Sequence, residues 1–425
     1  MSGKGQTRGG AQVSEPTIHK DQASVNHRIP SMGQSVSSPL PAQSPTESSQ
    51  PSTVSDDSPI VSSHSQIVLS VSNLAVSFRT ARGLLRAVRG VSFALKRGKT
   101  LAIVGESGSG KSATARTIMG LGGRQQQIDS GHIYFQDIHN GGSQPIDLLT
   151  LSKKQLISNI CGQKIAMIFQ DPMSTLNPTM SIGRQIMEAI RKHQRLSRKE
   201  SRERGIQLLE EVGIRQAAHT YRQYPHQLSG GMRQRVVIAI ALACNPQILI
   251  CDEPTTALDV TIQARILELI ARIQQEKNLS VIYITHDFGV VARVADEVAV
   301  MYAGQLVEKG TADDIFYDPV HPYTRALLSC VPDAGMESQR LYSIPGIPPD
   351  LVHPIVGDAF APRNEYALNI DFEQEPPEYR INDTHTVRSW LLHEEAPELD
   401  VNPILTQRLR QMQTRADDTP TQGQV

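Results

Sequence analysis

Residues 105–112 read GESGSGKS, and they follow a strand-like apolar run and precede a helix-like run. In that context, glycines allow successive backbone amides to point at phosphate oxygens. Lys111 would neutralise the terminal phosphates, and the Ser112 hydroxyl would ligate Mg²⁺. The sequence therefore predicts a nucleotide-phosphate loop rather than a plain Gly/Ser turn. The loop residues before Lys111 are Gly105, Glu106, Ser107, Gly108, Ser109 and Gly110.

Two adjacent carboxylates, Asp252 and Glu253, end the apolar run ILIC at 248–251. The carboxyl ends of parallel strands face the ligand crevice of an open α/β sheet. Asp252 is expected to hold the Mg²⁺ shell, and Glu253 to orient and deprotonate water. The alternative is an acidic turn after a core strand.

Gln170 and His286 follow two further β-rich runs, IAMIF at 165–169 and VIYIT at 281–285. A lone Gln or His at a strand end is more often a cap or a satisfied loop residue. If both strands flank the central ones, however, these side chains reach the same crevice. Gln170 is then also a candidate Mg²⁺ ligand, and both residues could sense a terminal phosphate.

A second glycine-rich segment precedes the helix-like run from 232 onward. Unpaired amides and the helix dipole favour an anion at such a start, although an ordinary serine N-cap is the simpler interpretation. One bound nucleotide needs only one phosphate cradle, so the second segment requires an explanation. Its residues are Leu228, Ser229, Gly230, Gly231 and Met232.

The elements around these residues predict an α/β protein. Short apolar runs without alternation are typical of strands buried on both faces of a helix-covered sheet, and alternation from Ile67 onward predicts a strand-rich lobe before it. The expected segments are a disordered Ser/Pro/Gln-rich tail at 1–66, a nucleotide-binding domain at 67–332 with a helical subdomain at about 178–243, an extension at 333–402 and a polar tail at 403–425.

Composition excludes several classes of protein. The 42 basic and 43 acidic residues give a formal net charge of -1, which provides no global attraction to nucleic acid. Four dispersed cysteines without a CxxC pair fit a reducing compartment. No apolar run approaches the roughly 20 residues of a membrane span, and no leader peptide is expected.

The order GESGSGKS, Gln170, LSGGMRQR, ILICDEP, ALD and His286 resembles the nucleotide-binding subunits of ATP-binding cassette (ABC) transporters. The resemblance implies a P-loop NTPase core with an antiparallel lobe, a helical subdomain carrying LSGG, and ATP with Mg²⁺ as ligands. It makes Asp259 part of the D-loop. It also implies that Phe78 stacks on adenine, although a core aromatic is nearly as good an interpretation.

The same resemblance explains the second glycine-rich segment. In that family two cassettes pack head to tail, and LSGG of one covers the phosphate held by the other. This chain has one copy of each motif and is therefore expected to pair with a second, different cassette. The helical subdomain and the loop after Gln170 would dock on two transmembrane permease subunits at the cytoplasmic face of the membrane. No nucleic-acid partner is expected.

The segments MIFQDPMSTLNP, HPYTRALLSCVPD and SIPGIPPDL resemble the ATPase subunits of oligopeptide and dipeptide permeases. Further on, GDAFAPRNEYALNIDFEQEPPEY and THTVRSWLLHEEAP look most like the oligopeptide permease ATPases of Gram-positive bacteria. The resemblance implies an importer of oligopeptides that an extracellular peptide-binding protein supplies. A dipeptide or nickel permease ATPase is the first alternative. A soluble, non-transport ABC ATPase and a catalytically silent cassette are others, and Glu253 with His286 argues against the silent one.

The extension departs from the pattern of many of these relatives, which carry four cysteines that resemble an iron–sulfur site. None of the corresponding residues here is a thiolate, so no iron–sulfur cluster is expected, and too few ligands remain to favour Ca²⁺. We expect them to be surface polar residues in an extension folded by apolar contacts. The four positions are Asp358, Asn364, Asp371 and Ser389, and the expected contacts are Phe360, Trp390, Leu391 and Leu392.

Overall fold

The computed structural model describes residues 66–138, 144–171, 175–256, 258–330 and 343–398. The tail predicted to be disordered lies outside them except for Gln66, as does the polar tail at 403–425. The strands of the described residues are β1 (Ile67–Thr80), β2 (Gly83–Lys96), β3 (Thr100–Val104), β4 (Gln126–Phe135), β5 (Ile146–Asp147), β6 (Ile165–Ile168), β7 (Ile248–Asp252), β8 (Ser280–Thr285), β9 (Glu297–Tyr302), β10 (Gln305–Thr311), β11 (Glu378–Arg380) and β12 (Thr386–Arg388).

Ten α-helices connect or cover these strands within the described residues, and none of the ten is long and apolar enough to cross a membrane. They are α1 (Lys111–Ile118), α2 (Lys153–Asn159), α3 (Ile182–His193), α4 (Arg198–Glu211), α5 (Ala217–Thr220), α6 (Gly230–Ala241), α7 (Val260–Lys277), α8 (Phe288–Val294), α9 (Ala312–Tyr317) and α10 (Pro322–Ser329).

The N-terminal lobe is an antiparallel sheet in the order β2-β1-β4-β5. Its apolar side chains join a core cluster that also contains buried residues of β3, α1 and β6. This lobe confirms the strand-rich segment that the alternation from Ile67 onward predicted.

The second sheet of the described residues has the order β11-β12-β10-β9-β3-β8-β7-β6. Strands β3, β6, β7, β8 and β9 run parallel to their neighbours, apart from the antiparallel β9–β10 pair. Every residue of β3, β6, β7 and β8 is buried, as expected for central strands covered on both faces. The sheet confirms the predicted α/β class and brings the carboxyl ends of β3, β6, β7 and β8 to one edge.

The predicted helical subdomain corresponds to α3 to α6. Helix α4 begins with a capping box, in which Ser197 and Glu200 satisfy each other's backbone amides. One face of α3 is fully buried at Ile182, Ile186 and Ile190, and it joins the same core cluster as residues of α4 and α6. The segment after Ser229 is therefore held by packing of α6 against α3 and α4 and against strands of the second sheet.

The C-terminal extension continues the second sheet, because β12 pairs antiparallel with both β10 and β11. Phe360 is buried against the rings of Tyr302 and Tyr323, as the expected apolar contact requires. The other three expected contacts are only partly buried. They are Trp390, Leu391 and Leu392.

The prediction that the four former ligand positions are surface residues is wrong for three of them. Asp358, Asp371 and Ser389 are only 9%, 2% and 5% exposed, whereas Asn364 is partly exposed. All four side chains accept a hydrogen bond from a nearby backbone amide. Such a bond allows the polar groups of Asp358, Asp371 and Ser389 to be buried. The donors are the amides of Phe360, Tyr366, Leu368 and Leu391.

Candidate nucleotide site

The loop at 105–112 lies between β3 and α1, at the carboxyl edge of the second sheet. Gly105, Gly108 and Gly110 have φ angles of 146°, 81° and 101°, which side chains disfavour. A Cβ atom at Gly105 would lie 2.0 Å from the carbonyl oxygen of Met301, and one at Gly110 would lie 2.3 Å from another carbonyl. Gly110 also starts α1 without a side-chain cap, which leaves the first amides of the helix available to an anion.

Lys111 is buried inside this loop. Its Nζ atom donates to the carbonyl oxygens of Gly105 at 2.7 Å and Glu106 at 2.8 Å. Desolvation lowers the pKa of Lys111, although the nearby Glu253 and Asp252 oppose that shift. The ammonium group thus lies inside the loop, bound to two of the loop's own carbonyl oxygens.

Ser112 and Asp252 meet across the crevice. The Ser112 hydroxyl donates to Asp252 Oδ1 at 2.7 Å, and the other carboxylate oxygen of Asp252 is buried without a hydrogen-bond partner among the described residues. Burial raises the pKa of Asp252. An unpaired buried carboxylate oxygen beside a hydroxyl is an oxygen donor set that fits Mg²⁺.

Glu253 leaves the end of β7 in a left-handed conformation, with a φ angle of 47°. Its backbone amide donates to Ile284 on β8 at 2.9 Å, and the resulting turn directs its carboxylate toward the same crevice as Asp252. A non-glycine residue in this region is strained by about 1–3 kcal/mol, and such strain is common at functional sites. The turn explains how two consecutive residues serve one site.

The side chains of Gln170 and His286 hold the Glu253 carboxylate. Gln170 Nε2 donates to Glu253 Oε2 at 2.9 Å, and His286 Nδ1 lies 3.1 Å from Oε1. Desolvation opposes ionisation, but hydrogen bonds from His286 and Thr256 keep the pKa of Glu253 below its ordinary value. The structure thus brings together the ends of β6, β7 and β8. Gln170 contacts Glu253, and its role as a Mg²⁺ ligand stays a prediction.

The segment at 228–232 lies at the start of α6, away from these strand ends in the topology. Leu228 and Gly231 are buried, whereas Ser229 and Gly230 are exposed. Ser229 Oγ accepts from the Met232 amide at 3.4 Å, so it is an N-cap, as the simpler interpretation had it.

Two other predicted residues lie on separate elements. Asp259 is exposed and caps α7 by accepting from the Ile262 amide at 2.9 Å. Phe78 lies on β1 between Leu85 of β2 and Gln126 of β4, and it is partly buried against the core of the lobe. Its packing supports the core interpretation without excluding contact of its exposed part with a base.

Sequence reasoning missed three residues that touch this site. Thr256 donates to Glu253 Oε2 at 3.1 Å, and both Tyr323 and Arg363 bond Glu106 of the phosphate loop. Thr256 could have been found, because it follows the acidic pair within one turn. Arg363 lies 257 positions from Glu106 in the sequence, and no local sequence pattern predicts a contact over that separation.

Comparisons with known proteins agree with this geometry. Residues 88–256 match the ABC transporter family, and residues 307–370 match the oligopeptide/dipeptide transporter C-terminal region. The chain is 53% identical over 338 residues to the oligopeptide transport ATP-binding protein OppD of Bacillus subtilis, covering 79% of this chain and 92% of that one. It is 52% identical to the dipeptide transport ATP-binding protein DppD of Lactococcus lactis, covering 76% and 90%.

Solved structures show the same fold. A dimeric ATP-binding cassette in a post-hydrolysis state with ADP and phosphate matches with a TM-score of 0.50 at 26% identity, over 57% of this chain and 98% of that one. The cbiO1 protein of Clostridium perfringens, part of an ABC transporter complex, matches with a TM-score of 0.50 at 30% identity, over 60% and 92%. The matched family and these relatives support ATP hydrolysis as an activity of this chain. With both segments matched and about half of the aligned residues identical to those of relatives covered over at least 90% of their length, the chain belongs to the ABC transporter ATP-binding proteins, in their oligopeptide/dipeptide branch.

Proposed function

We propose that this chain is the ATP-hydrolysing subunit of an ABC importer that takes up oligopeptides. The carboxylate of Glu253, held by Gln170 and His286 beside the Ser112–Asp252 pair, carries the ATPase assignment. The match to the oligopeptide/dipeptide C-terminal region supports the substrate class. We propose residues 67–332 as the cassette and 333–402 as the extension, although the matched C-terminal region begins earlier, at 307.

The phosphate loop binds and orients ATP. Its amides and Lys111 surround the β- and γ-phosphates, and the first amides of α1 add the field of the helix N-terminus. Ser112 and Asp252 would hold Mg²⁺, with Gln170 as a further candidate ligand. Bound Mg²⁺ would supply charge neutralisation on the phosphate oxygens.

Glu253 receives the proton of the attacking water. Its lowered pKa keeps it ionised at neutral pH, so it is available as a base. Gln170 and His286 each contact one carboxylate oxygen of Glu253. These contacts restrict the orientation of the carboxylate before the reaction, so less conformational entropy is lost on reaching the transition state. Because these two residues end β6 and β8, movement at either strand end alters the position of the base.

A second cassette completes the site. The exposed Ser229 and Gly230 at the start of α6 are suited to contact a phosphate held by another chain, with Asp259 at the same interface. The dimeric cassette among the structural relatives supports such pairing. We propose that the partner is a different ATPase subunit, and light scattering of the purified chain with ATP tests this. A stable, strongly hydrolysing homodimer would contradict it.

The membrane subunits dock on the face of the helical subdomain next to Gln170. An open cavity of about 470 Å³ lies there between β6, α3 and α6, and its lining includes Met167, Phe169, Met180 and Ile240. An apolar cavity beside a residue that holds the base provides a contact through which a membrane subunit can influence hydrolysis. This proposal places the chain at the cytoplasmic face of the membrane, with a peptide-binding protein acting only indirectly through the permease.

Uptake measurements test the function and its alternatives. In the host of this gene, we expect deletion to abolish uptake of labelled tetra- and pentapeptides, and the wild-type gene to restore it while the Glu253→Gln gene does not. Loss of dipeptide or nickel uptake alone would favour the alternative permeases. The 52% identity to the dipeptide transport ATP-binding protein DppD supports testing dipeptides. Normal uptake of all three, with the protein bound to ribosomes or DNA, would overturn the transport function.

A further inference from the structure

Arg363 of the C-terminal extension binds the side chain of Glu106 in the phosphate loop. Its Nη1 atom lies 2.7 Å from Glu106 Oε2, and its Nη2 atom lies 3.0 Å from Oε1. The side chain of Arg363 is only 5% exposed and that of Glu106 is 25% exposed. A bidentate, largely buried pair of this kind is far stronger than a surface ion pair.

Other contacts fix the guanidinium group in this position. Arg363 Nε donates to the carbonyl oxygen of Pro345 at 2.8 Å, and Nη1 also donates to the hydroxyl of Tyr302 at 3.1 Å. Its Cζ atom lies 5.7 Å from the centre of the Tyr302 ring, which itself packs against Phe360. The arginine is therefore held from the extension and from β9 before it reaches the loop.

The backbone of Glu106 is held by the same part of the chain. Its amide donates to the hydroxyl of Tyr323 at 2.8 Å. Tyr323 is in the first turn of α10, where Pro322 occupies an early position and His321 Nδ1 accepts from the Tyr323 amide at 3.0 Å. Burial lowers the pKa of His321 to about 3, so its ring is neutral and can accept this bond.

The charges of the phosphate loop indicate what these contacts do. Glu106 places a negative charge on a loop whose ligand is a polyanion, and Lys111 is the only other loop residue of 105–112 with a charge. Two like charges a few ångströms apart repel strongly where water is largely excluded. The guanidinium group of Arg363 offsets the charge of this carboxylate and binds both of its oxygens.

We propose that Arg363 is a positioning residue for ATP binding, which neutralises Glu106 and thereby makes the phosphate loop receptive to the nucleotide. The inference rests on the proposal that residues 105–112 bind the phosphates of ATP. It also makes the extension part of the nucleotide site of its own chain, rather than an appendage to the cassette.

A double-mutant cycle tests the proposal, using the full chain and equilibrium binding of a fluorescent ATP analogue with Mg²⁺. We expect Arg363→Met to raise Kd by at least about tenfold, because it leaves the carboxylate uncompensated. Glu106→Gln should bind at least as tightly as wild type, and the double variant should return to within about threefold of it. In the complex with its partner subunits, the effect of Arg363→Met should appear in KM for ATP more than in kcat.

Matched controls separate charge neutralisation from loss of structure. Arg82→Met removes an exposed ion pair, in which Arg82 Nη2 lies 2.6 Å from Asp350 Oδ2 of the extension. This variant should leave Kd unchanged. If Glu106→Gln weakens binding as much as Arg363→Met, or if the double variant is no better than Arg363→Met, the contact is only a structural link and the proposal is overturned. Glu106→Gln remains decisive even if Arg363→Met does not fold.

Failure of the proposed ATP site gives a different pattern. Lys111→Ala should weaken binding more than any variant of the cycle. If wild type and Lys111→Ala bind the analogue equally, the assignment of the loop is wrong, and the role of Arg363 falls with it. If Lys111→Ala is defective while Arg363→Met is normal, only the present inference is overturned.

Discussion

The two glycine-rich loops of this chain each begin a helix, of 8 and 12 residues, but differ in how their own chain uses them. The loop at 105–112 has three glycines in conformations that side chains disfavour, a buried lysine and an anchor in the extension. The loop at 228–232 has an exposed serine and glycine and a simple N-cap. The first is anchored by contacts with several parts of its own chain, whereas the second exposes Ser229 and Gly230 to solvent.

The individual glycines make the difference sharper. A Cβ atom at Gly110 would lie 2.3 Å from the carbonyl oxygen of Ala87, so the fold itself requires glycine there. At Gly231 a Cβ atom would press on Ile262 at 2.9 Å, which is also a packing reason. At Gly230 it would meet only Leu258, at an ordinary 3.7 Å. The fold therefore requires glycine at 110 but does not require it at 230.

The largest expected effect tests the proposed catalytic site beside the loop at 105–112. Glu253→Gln removes the base but keeps its size, so we expect ATP hydrolysis in the assembled complex to fall by about 10² to 10⁴ fold, with ATP binding retained. Phosphate release and equilibrium binding measure the two properties. Asp383→Asn, at a fully exposed carboxylate, is the control. Hydrolysis close to wild type in the Glu253 variant would mean that the carboxylate is not the base.

The next effect tests the exposed loop at 228–232. Gly230→Asp places a carboxylate where a phosphate of the partner chain is expected, so hydrolysis by the two-cassette complex should fall by about 10 to 100 fold through charge repulsion. The variant should still bind ATP at its own phosphate loop. Gly230→Ala is the matched control and should cost little. Equal hydrolysis by both variants would remove the case for an external phosphate at this loop.

A smaller effect compares the two loops directly through stability. Gly110→Ala forces an alanine to a φ angle of 101° against a carbonyl group, so we expect the free energy of unfolding to fall by about 1–3 kcal/mol. Gly230→Ala should change it by no more than about 0.5 kcal/mol. Urea denaturation of both variants measures the difference. Similar losses at the two positions would show that the second loop is as constrained as the first.

The smallest effect concerns the support behind the phosphate loop. His385 Nε2 lies 2.8 Å from Glu308 Oε1, and both side chains are fully buried. Glu308 also accepts from the backbone amides of Val320 and His321, just before the helix that carries Tyr323. Desolvation disfavours protonation of His385, but Glu308 outweighs it and raises the pKa of His385.

Because the folded pKa of His385 is raised, its stabilisation is complete below the unfolded pKa of about 6.5 and is lost as pH rises through the folded value. We expect the free energy of unfolding to decline by about 1 kcal/mol more in wild type than in His385→Gln between pH 6 and pH 9. The exposed His219→Gln is the control. Hydrogen exchange should increase around 320–323 and not around 229–241. A uniform increase would contradict a local support.

The sequence predicted the catalytic edge well because backbone geometry determines it. Parallel strands deliver their carboxyl ends to one place, so Gln170, Glu253 and His286 could be expected together from three separate runs. The extension was predicted poorly for an equally physical reason. Whether Asp358 or Asp371 is buried depends on local amides that satisfy it, and composition does not reveal that. Arg363 was missed because its contact closes a long loop between the two ends of the domain.

The pairing of β12 with β10 also bears on how the chain is made. Synthesis proceeds from the N-terminus, so β10 emerges long before Thr386 and Val387, which pair with Lys309 and Glu308. Until then the outer edge of the sheet has no neighbour, and an open strand edge invites association with other chains or attack by proteases. A product terminated before β12 would keep that edge open. Pairing of β12 with β10 therefore closes this edge of the sheet only after most of the chain has been made.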